Sequence, residues 1–198
     1  MRIGVLALQG DYEAHARMLG RLAAEHTLVR TAGELSQVDG LIIPGGESTT
    51  FLKFLEEGDF LGHLRRLPED GKPVFGTCAG AILLAREVFN PPQTSLGLID
   101  MSVERNGYGR QLDSAVGQGT TSLAPKPVEM VFIRAPRIRD VAAQVEVLAE
   151  CEGEPVFVRQ GHCLAATFHP ELSDDPCFHR YFLAMVHSAK NEGAAQKV

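Results

Sequence analysis

The sequence predicts an α/β fold in three layers, with a mostly parallel central sheet and added antiparallel strands. Three observations predict it. Runs of branched aliphatics alternate with stretches of helical period through the first half of the chain. A glycine-flanked turn around Cys78 joins an apolar strand to a helix. Beyond Pro91-Pro92 the pattern changes to shorter extended runs.

In order along the chain, residues 2–8 read as a strand, because the apolar run from Ile3 to Leu8 leads straight into Gln9-Gly10-Asp11. Residues 13–24 follow with helical period, 27–30 return to strand, and 34–38 form a short helical stretch. Gly40–Ile43 is the next strand, then come helices over 48–57 and 60–66, a strand over 73–77 and a helix over 79–89. Strand and helix in alternation make βαβ units, and hence a parallel sheet wrapped by helices. The later runs 98–103, 128–133, 145–149, 155–158 and 163–168 read as added, partly antiparallel strands. A last helix covers 176–190, and the small, polar residues 191–198 make a tail expected to fray.

At 198 residues and 44% hydrophobic composition the chain suits one compact domain over 1–198, with no linker between parts. A formal charge of −6, with Lys and Arg scattered, argues against a nucleic-acid partner. The first apolar run is too short for a signal peptide or membrane span, so no membrane partner is expected. Cys78, Cys151, Cys163 and Cys177 lie far apart without a C-x-x-C pair, which fits a reducing cytoplasm better than a disulfide framework.

The segment Gly76-Thr77-Cys78-Ala79-Gly80 has the G-x-C-x-G form of a nucleophile elbow. Flanking glycines are needed there because a Cβ on either side would strike the neighbouring strand or helix. At a helix N-terminus the sulfur is also placed where a thiolate is stabilised. The other three cysteines read as structural thiols.

A thiolate attacking an amide needs a general acid for the leaving amine, and His169 in Phe168-His169-Pro170-Glu171 is the leading candidate. It is read as ending an apolar strand, where residues two apart point the same way and Glu171 orients the imidazole. The other six histidines have no comparable setting, although His162, Cys163, Cys177 and His179 can be imagined as metal ligands. Their spacing fits no common zinc pattern, and no metal or cofactor is expected.

Pro44-Gly45-Gly46-Glu47-Ser48-Thr49-Thr50 follows a strand and precedes a helix capped by Ser48 or Thr49. Its adjacent glycines leave backbone N–H groups free to serve an oxyanion, or else make an ordinary turn. For a substrate carboxylate, Arg105 and Arg134 are the candidate guanidinium partners, with a surface role as the alternative.

Together with Leu8-Gln9-Gly10, Val103-Glu104-Arg105-Asn106, Gly109-Arg110-Gln111 and Ile133-Arg134-Ala135-Pro136, these stretches resemble the glutaminase subunits of pyridoxal 5′-phosphate synthase. Those subunits are class I (triad) glutamine amidotransferases, and the likeness covers almost the whole chain. The resemblance implies a flavodoxin-like, class I amidotransferase-like fold that hydrolyses L-glutamine to glutamate and ammonia through a cysteine thioester. Carried over, it implies Cys78 as nucleophile, His169 as acid and base, and Glu171 as its orienter. It further implies glutamine held by Gly46, Glu47, Ser48, Arg105, Ile133 and Arg134, with Gly45, Gly46, Ala79 and Gln9 at the oxyanion and activation site. The implied partner is the synthase subunit, which receives the ammonia. The sequence departs from the family's usual pattern at Gly107-Tyr108 and at Ala81.

A triad hydrolase acting on another amide competes with this reading, as does a non-catalytic regulatory subunit. Gly109-Arg110-Gln111 and Ile133-Arg134-Ala135-Pro136 weigh against the first. The joint presence of Cys78, His169 and Glu171 weighs against the second. Because ammonia released near neutral pH becomes non-nucleophilic ammonium, an enzyme idle until docked is expected, with the Gly45-Gly46 peptide turning into place on binding.

Overall fold

The computed structural model of the chain describes residues 1–107 and 114–195. Strand β1 (Ile3–Leu6) leads to helix α1 (Tyr12–Arg21), β2 (His26–Val29), a 3-10 turn (Ala32–Gln37) and β3 (Gly40–Ile43). Helices α2 (Ser48–Glu57) and α3 (Phe60–Glu69) connect to β4 (Val74–Thr77), which passes through Cys78 into α4 (Ala79–Leu84). Strands β5 (Ala85–Phe89), β6 (Ile99–Glu104), β7 (Ser114–Thr121), β8 (Val128–Ile133) and β9 (Arg137–Val141) follow. The chain ends with β10 (Glu146–Cys151), β11 (Glu154–Gln160), β12 (Cys163–Ala166), a 3-10 turn (Pro170–Leu172) and α5 (Cys177–Ala195).

Among the described residues the central sheet has nine strands in the order β2-β1-β3-β4-β12-β11-β10-β7-β8. Its first five strands pair in parallel, and from β12 to β8 every pairing is antiparallel. A three-stranded sheet β5-β6-β9 stands apart. The parallel part reverses direction of growth between β1 and β3, and in such sheets the crevice outside the carboxyl ends of the strands is where ligands bind. Gln9-Gly10-Asp11, Gly45-Gly46, Cys78 and His169 all follow carboxyl ends of these strands.

The period of two along each strand builds a core on both faces. Ile3 and Val5 join Ile42, Phe75, Leu164 and Ala166 under Leu19 of α1 and Phe178, Phe182 and Val186 of α5. Their neighbours Leu6, Leu41, Ile43, Val74 and Ala165 face the other way, under Phe51 and Leu55 of α2 and Phe60, Leu64 and Leu67 of α3. At about 1.5–3 kcal/mol per fully buried large apolar side chain, these two layers dominate the attractive side of folding.

Several elements differ from the sequence reading. The helix expected over 79–89 ends at Leu84, and Ala85–Phe89 is a strand paired in parallel with β6. Strands β7 and β9 were not anticipated: Ser114–Thr121 carries two glycines and few apolar residues, and Arg137–Val141 is rich in charge. Helix α3 continues beyond Arg66 to Glu69, and α5 beyond Lys190 to Ala195.

Candidate active site

Cys78 sits between β4 and α4 with φ 47° and ψ −102°, a strained backbone for a residue with a side chain. Its N–H donates to the Ala166 carbonyl of β12 at 2.8 Å, and its carbonyl accepts from Ile82 at 3.2 Å. Two glycines permit the turn. A Cβ on Gly76 would lie 2.6 Å from the Gly80 carbonyl, and one on Gly80 would lie 2.2 Å from the Ile43 oxygen. The thiol is 6% exposed and lies 3.9 Å from the Ile133 carbonyl oxygen.

His169 follows β12 as the cap of the second 3-10 turn, with φ −106° and ψ 84°, and its own N–H donates to Val131 of β8. Glu171 therefore reaches it across a tight turn, not along an extended strand as the alternation argument supposed. Nδ1 of His169 and Oε1 of Glu171 are 2.7 Å apart and both side chains are buried. With Nδ1 engaged by Glu171, Nε2 is the ring nitrogen left for proton exchange with the Cys78 thiol, which shares the cavity wall with His169. Burial by itself would lower the imidazole's pKa, but the bonds to Cys78 and Glu171 outweigh it and raise it to about 10. Burial also raises Glu171, against the opposing pull of His169. Both shifts favour retention of a proton on this buried pair.

Gly45 is the close approach that lets these groups meet. A Cβ there would fall 2.4 Å from His169 Cε1 and 3.3 Å from Cys78 Cβ. The Gly45 carbonyl accepts from the Asp11 N–H at 3.2 Å, and Gly10, at φ 82°, has no room for a side chain beside that oxygen. Gln9 clasps the next peptide: its Nε2 donates to the Glu47 carbonyl at 3.2 Å and its Oε1 accepts from the Glu47 N–H at 3.3 Å.

The cap of α2 is Glu47, not Ser48 or Thr49. Its carboxylate accepts from the Thr49 and Thr50 amides at 3.0 and 2.7 Å. Burial pushes this carboxyl up, but the two amide donors prevail and hold it down at about 2. The same carboxylate pairs with Arg105 at 3.3 Å, and Arg105 also donates to Thr49 Oγ1 at 2.9 Å. Ser48 donates to Gln93 Oε1 at 2.8 Å.

A cavity of about 200 Å³ opens over the thiol, lined by Cys78, His169, Gly46, Glu47, Ser48, Arg105, Ile133 and Arg134, all of them named from the sequence. Arg134 holds φ 42°, a conformation costly for a residue with a Cβ. Gln9, Gly45 and Ala79 stand behind the lining: Gln9 and Gly45 shape the loop, and Ala79 is fully buried at the start of α4.

A sequence model described as the SNO glutamine amidotransferase family matches residues 5–188. The chain belongs to this family. It is 53% identical over 191 residues to a protein of Koribacter versatilis named pyridoxal 5′-phosphate synthase subunit PdxT, a match that covers 96% of this chain and 98% of that protein. A protein of the same name from Thermosipho africanus is 49% identical over 94% of this chain and 99% of its own length. A crystal structure titled glutamine amidotransferase superposes with a TM-score of 0.88 at 45% identity, covering 93% of this chain and 98% of the other.

Within this amidotransferase frame, sequence reasoning missed Asp11, Ile82 and Asn106, which also line the cavity. Asp11 Oδ2 lies 3.6 Å from His169 Nδ1, and its position just after Gln9-Gly10 was the available signal. Asn106 adjoins Arg105. Tyr108 and Gly109-Arg110-Gln111 lie outside the described residues. The imagined metal set does not assemble among the described residues, where His162, Cys163, Cys177 and His179 form no group of three or more converging ligand atoms and His179 is buried against His15. Asp11, His169 and Glu171 do bring three ligand-type atoms within 4.8 Å of one another. His169 Nδ1 and Glu171 Oε1 already meet in a 2.7 Å hydrogen bond.

Proposed function

We propose that this chain is the glutaminase subunit of a pyridoxal 5′-phosphate synthase, one amidotransferase domain over residues 1–198 that hydrolyses L-glutamine and hands the ammonia to the synthase subunit. The observation that carries the reading is the buried line Cys78, His169, Glu171, whose first two members line the cavity while a 2.7 Å contact with the third orients the imidazole. The names borne by relatives about half identical over nearly their full length support the synthase assignment.

In this mechanism the Cys78 thiolate attacks the side-chain carbonyl carbon of glutamine, and the carbonyl π pair moves to oxygen. Backbone N–H groups at Gly46 and Ala79 receive the oxyanion; one such donor is worth about 3–4 kcal/mol in a well-studied hydrolase. His169 gives its Nε2 proton to the amide nitrogen as the C–N bond breaks, releasing ammonia and leaving a γ-glutamyl thioester. Water then attacks the thioester, His169 takes a proton, and the sulfur departs with its electron pair. Arg105 and Arg134 take the substrate carboxylate. Glu47, whose carboxylate is committed to the α2 amides, serves by fixing Arg105 and offering its backbone beside Gly46 and Ser48.

Activation by the partner is part of the proposal. Turning the Gly45-Gly46 peptide breaks the bond from Asp11 N–H to the Gly45 carbonyl, and docking supplies the free energy for that step. The net charge of −6 fits a chain without a nucleic-acid partner, and no described helix is long and apolar enough to cross a membrane. Four free cysteines fit the reducing cytoplasm.

A diazo-ketone analogue of glutamine, added to the chain docked on its synthase, tests the site. The expected result is one adduct, on Cys78, blocked by glutamine and greatly slowed in His169→Ala. Labelling spread over Cys151 and Cys177, or indifferent to glutamine, contradicts the assignment.

A further inference from the structure

Behind Glu171 lies a pair of histidines that the mechanism above leaves unused. His15 on α1 and His179 on α5 are both fully buried. Glu171 Oε1 faces His169, whereas its other oxygen, Oε2, has His15 Nε2 at 3.3 Å and no well-aligned hydrogen bond among the described residues. His15 Nε2 also stands 3.0 Å from Thr77 Oγ1, and His15 Nδ1 stands 3.0 Å from His179 Nε2. Thr77 is the residue immediately before the nucleophile.

The protons can be placed in two ways. If His15 carries its proton on Nδ1, it donates to His179 Nε2, so His179 must carry its own proton on Nδ1. That nitrogen is buried without a partner among the described residues, so an N–H is stranded there. His15 Nε2 then turns a lone pair toward the Glu171 carboxylate. If His15 carries its proton on Nε2 instead, that N–H faces Thr77 Oγ1 and Glu171 Oε2, and His15 Nδ1 accepts from His179 Nε2–H. A lone pair on His179 Nδ1 and the Thr77 hydroxyl hydrogen are then left without partners among the described residues, whereas in the first arrangement that hydroxyl donates to His15 Nε2. Each arrangement thus leaves one donor unmatched, and the second prevails because it turns an N–H, not a lone pair, toward the Glu171 carboxylate 3.3 Å away. Burial first, then His179 and His169, keeps His15 far below the usual imidazole range, and burial lowers His179 to about 3, so both rings are neutral at pH 7.

We propose that His15 is a positioning residue of the glutaminase: its Nε2–H, fixed in place by donation from His179, ties the Glu171 carboxylate to Thr77 at the base of the elbow and so sets the angle at which Glu171 holds His169. The inference rests on the triad reading above. It assigns to the α1–α5 contact a role in catalysis, because misplacement of a reacting group by about 1 Å can cost about 100-fold in rate.

Steady-state glutaminase kinetics of the full chain docked on its synthase subunit test this, with folding and docking of each variant checked by thermal melting and gel filtration. His15→Leu, which fills the space without a donor, is expected to lower kcat about 10- to 100-fold with KM for glutamine within about twofold. His15→Gln, whose terminal amide N–H replaces Nε2–H, is expected to restore kcat to within about threefold of the parent; a space-filling role predicts no such rescue. His179→Leu is expected to lose activity alone but to add nothing to His15→Gln, which needs no tautomer fixed. Turnover within about twofold of the parent in folded His15→Leu, while Glu171→Gln loses it, overturns the inference and leaves the triad standing. If Glu171→Gln also keeps its turnover, both fall. Should His15→Leu fail to fold, undiminished kcat in His179→Leu overturns the inference by itself.

Discussion

Gly45 carries no side chain, and that lets Cys78 and His169 share one cleft, because a methyl group there would sit 2.4 Å from the imidazole. Gly45→Ala should therefore push His169 off the thiol, lowering glutaminase kcat about 100-fold, and chemical denaturation should show a loss of about 1–3 kcal/mol. Normal turnover in that variant would mean the two groups need not touch. The His169 proton carries a second prediction. Burial opposes it, but Cys78 and Glu171 raise the pKa from 6.5 to about 10. A group raised in the folded state adds stability that is complete below its unfolded pKa and lost as pH rises through the folded one. The melting temperature of the parent should thus fall relative to His169→Gln between about pH 6.5 and 10; a constant difference across that range contradicts the shift. At this scale much was legible in the sequence. The glycines around Cys78 have one steric reason to be there, and His169-Pro170-Glu171 stands within a single turn. Asp11 and Asn106 adjoin Gln9-Gly10 and Arg105 in the sequence, but adjacency to a site residue does not say that a side chain reaches the cavity; the fold decides that. Glu171 was placed beside His169 by an argument from strand geometry that the 3-10 turn replaces.

Among the elements, α4 shows where local pattern ends. The run Ala81-Ile82-Leu83-Leu84-Ala85 is apolar on every side, so periodicity cannot say where helix stops and strand starts. The decision is tertiary: Ala85–Phe89 finds a partner in β6, which in turn pairs with β9. Strands β7 and β9 escaped for the opposite reason, since their residues are too polar or too small to announce a strand and are held by neighbours across the sheet. The elbow makes the strongest element-scale prediction. Gly80 on α4 lies against the Ile43 oxygen of β3, so Gly80→Ala must lift the helix from the sheet, and its Cβ would meet backbone that cannot give way. Urea titration should show at least about 1–3 kcal/mol of lost stability, whereas the same change at Gly33, where nothing lies within 4 Å, should be nearly silent. Equal effects at the two positions would contradict the packing described.

Over the whole molecule, the parallel strands β2-β1-β3-β4-β12 bring four separate loops to one edge, and the antiparallel extension supplies Ile133 and Arg134 from the end of β8. The alternation of strand and helix in the first half made β1 to β4 readable as a parallel sheet, whereas β12, read among the added strands, joins them as the fifth parallel strand. The order of the later strands was not readable, because antiparallel partners far apart in the chain are chosen by packing. The central claim is that Cys78 hydrolyses glutamine and does so when the chain is docked on a synthase. Glutamate release from glutamine tests it most directly, measured for the chain alone, for the chain mixed with a pyridoxal 5′-phosphate synthase subunit, and for Cys78→Ala in the same mixture. Release is expected to rise sharply with the partner and to vanish in the variant. Release absent from both mixtures, or unchanged in Cys78→Ala, would contradict that claim.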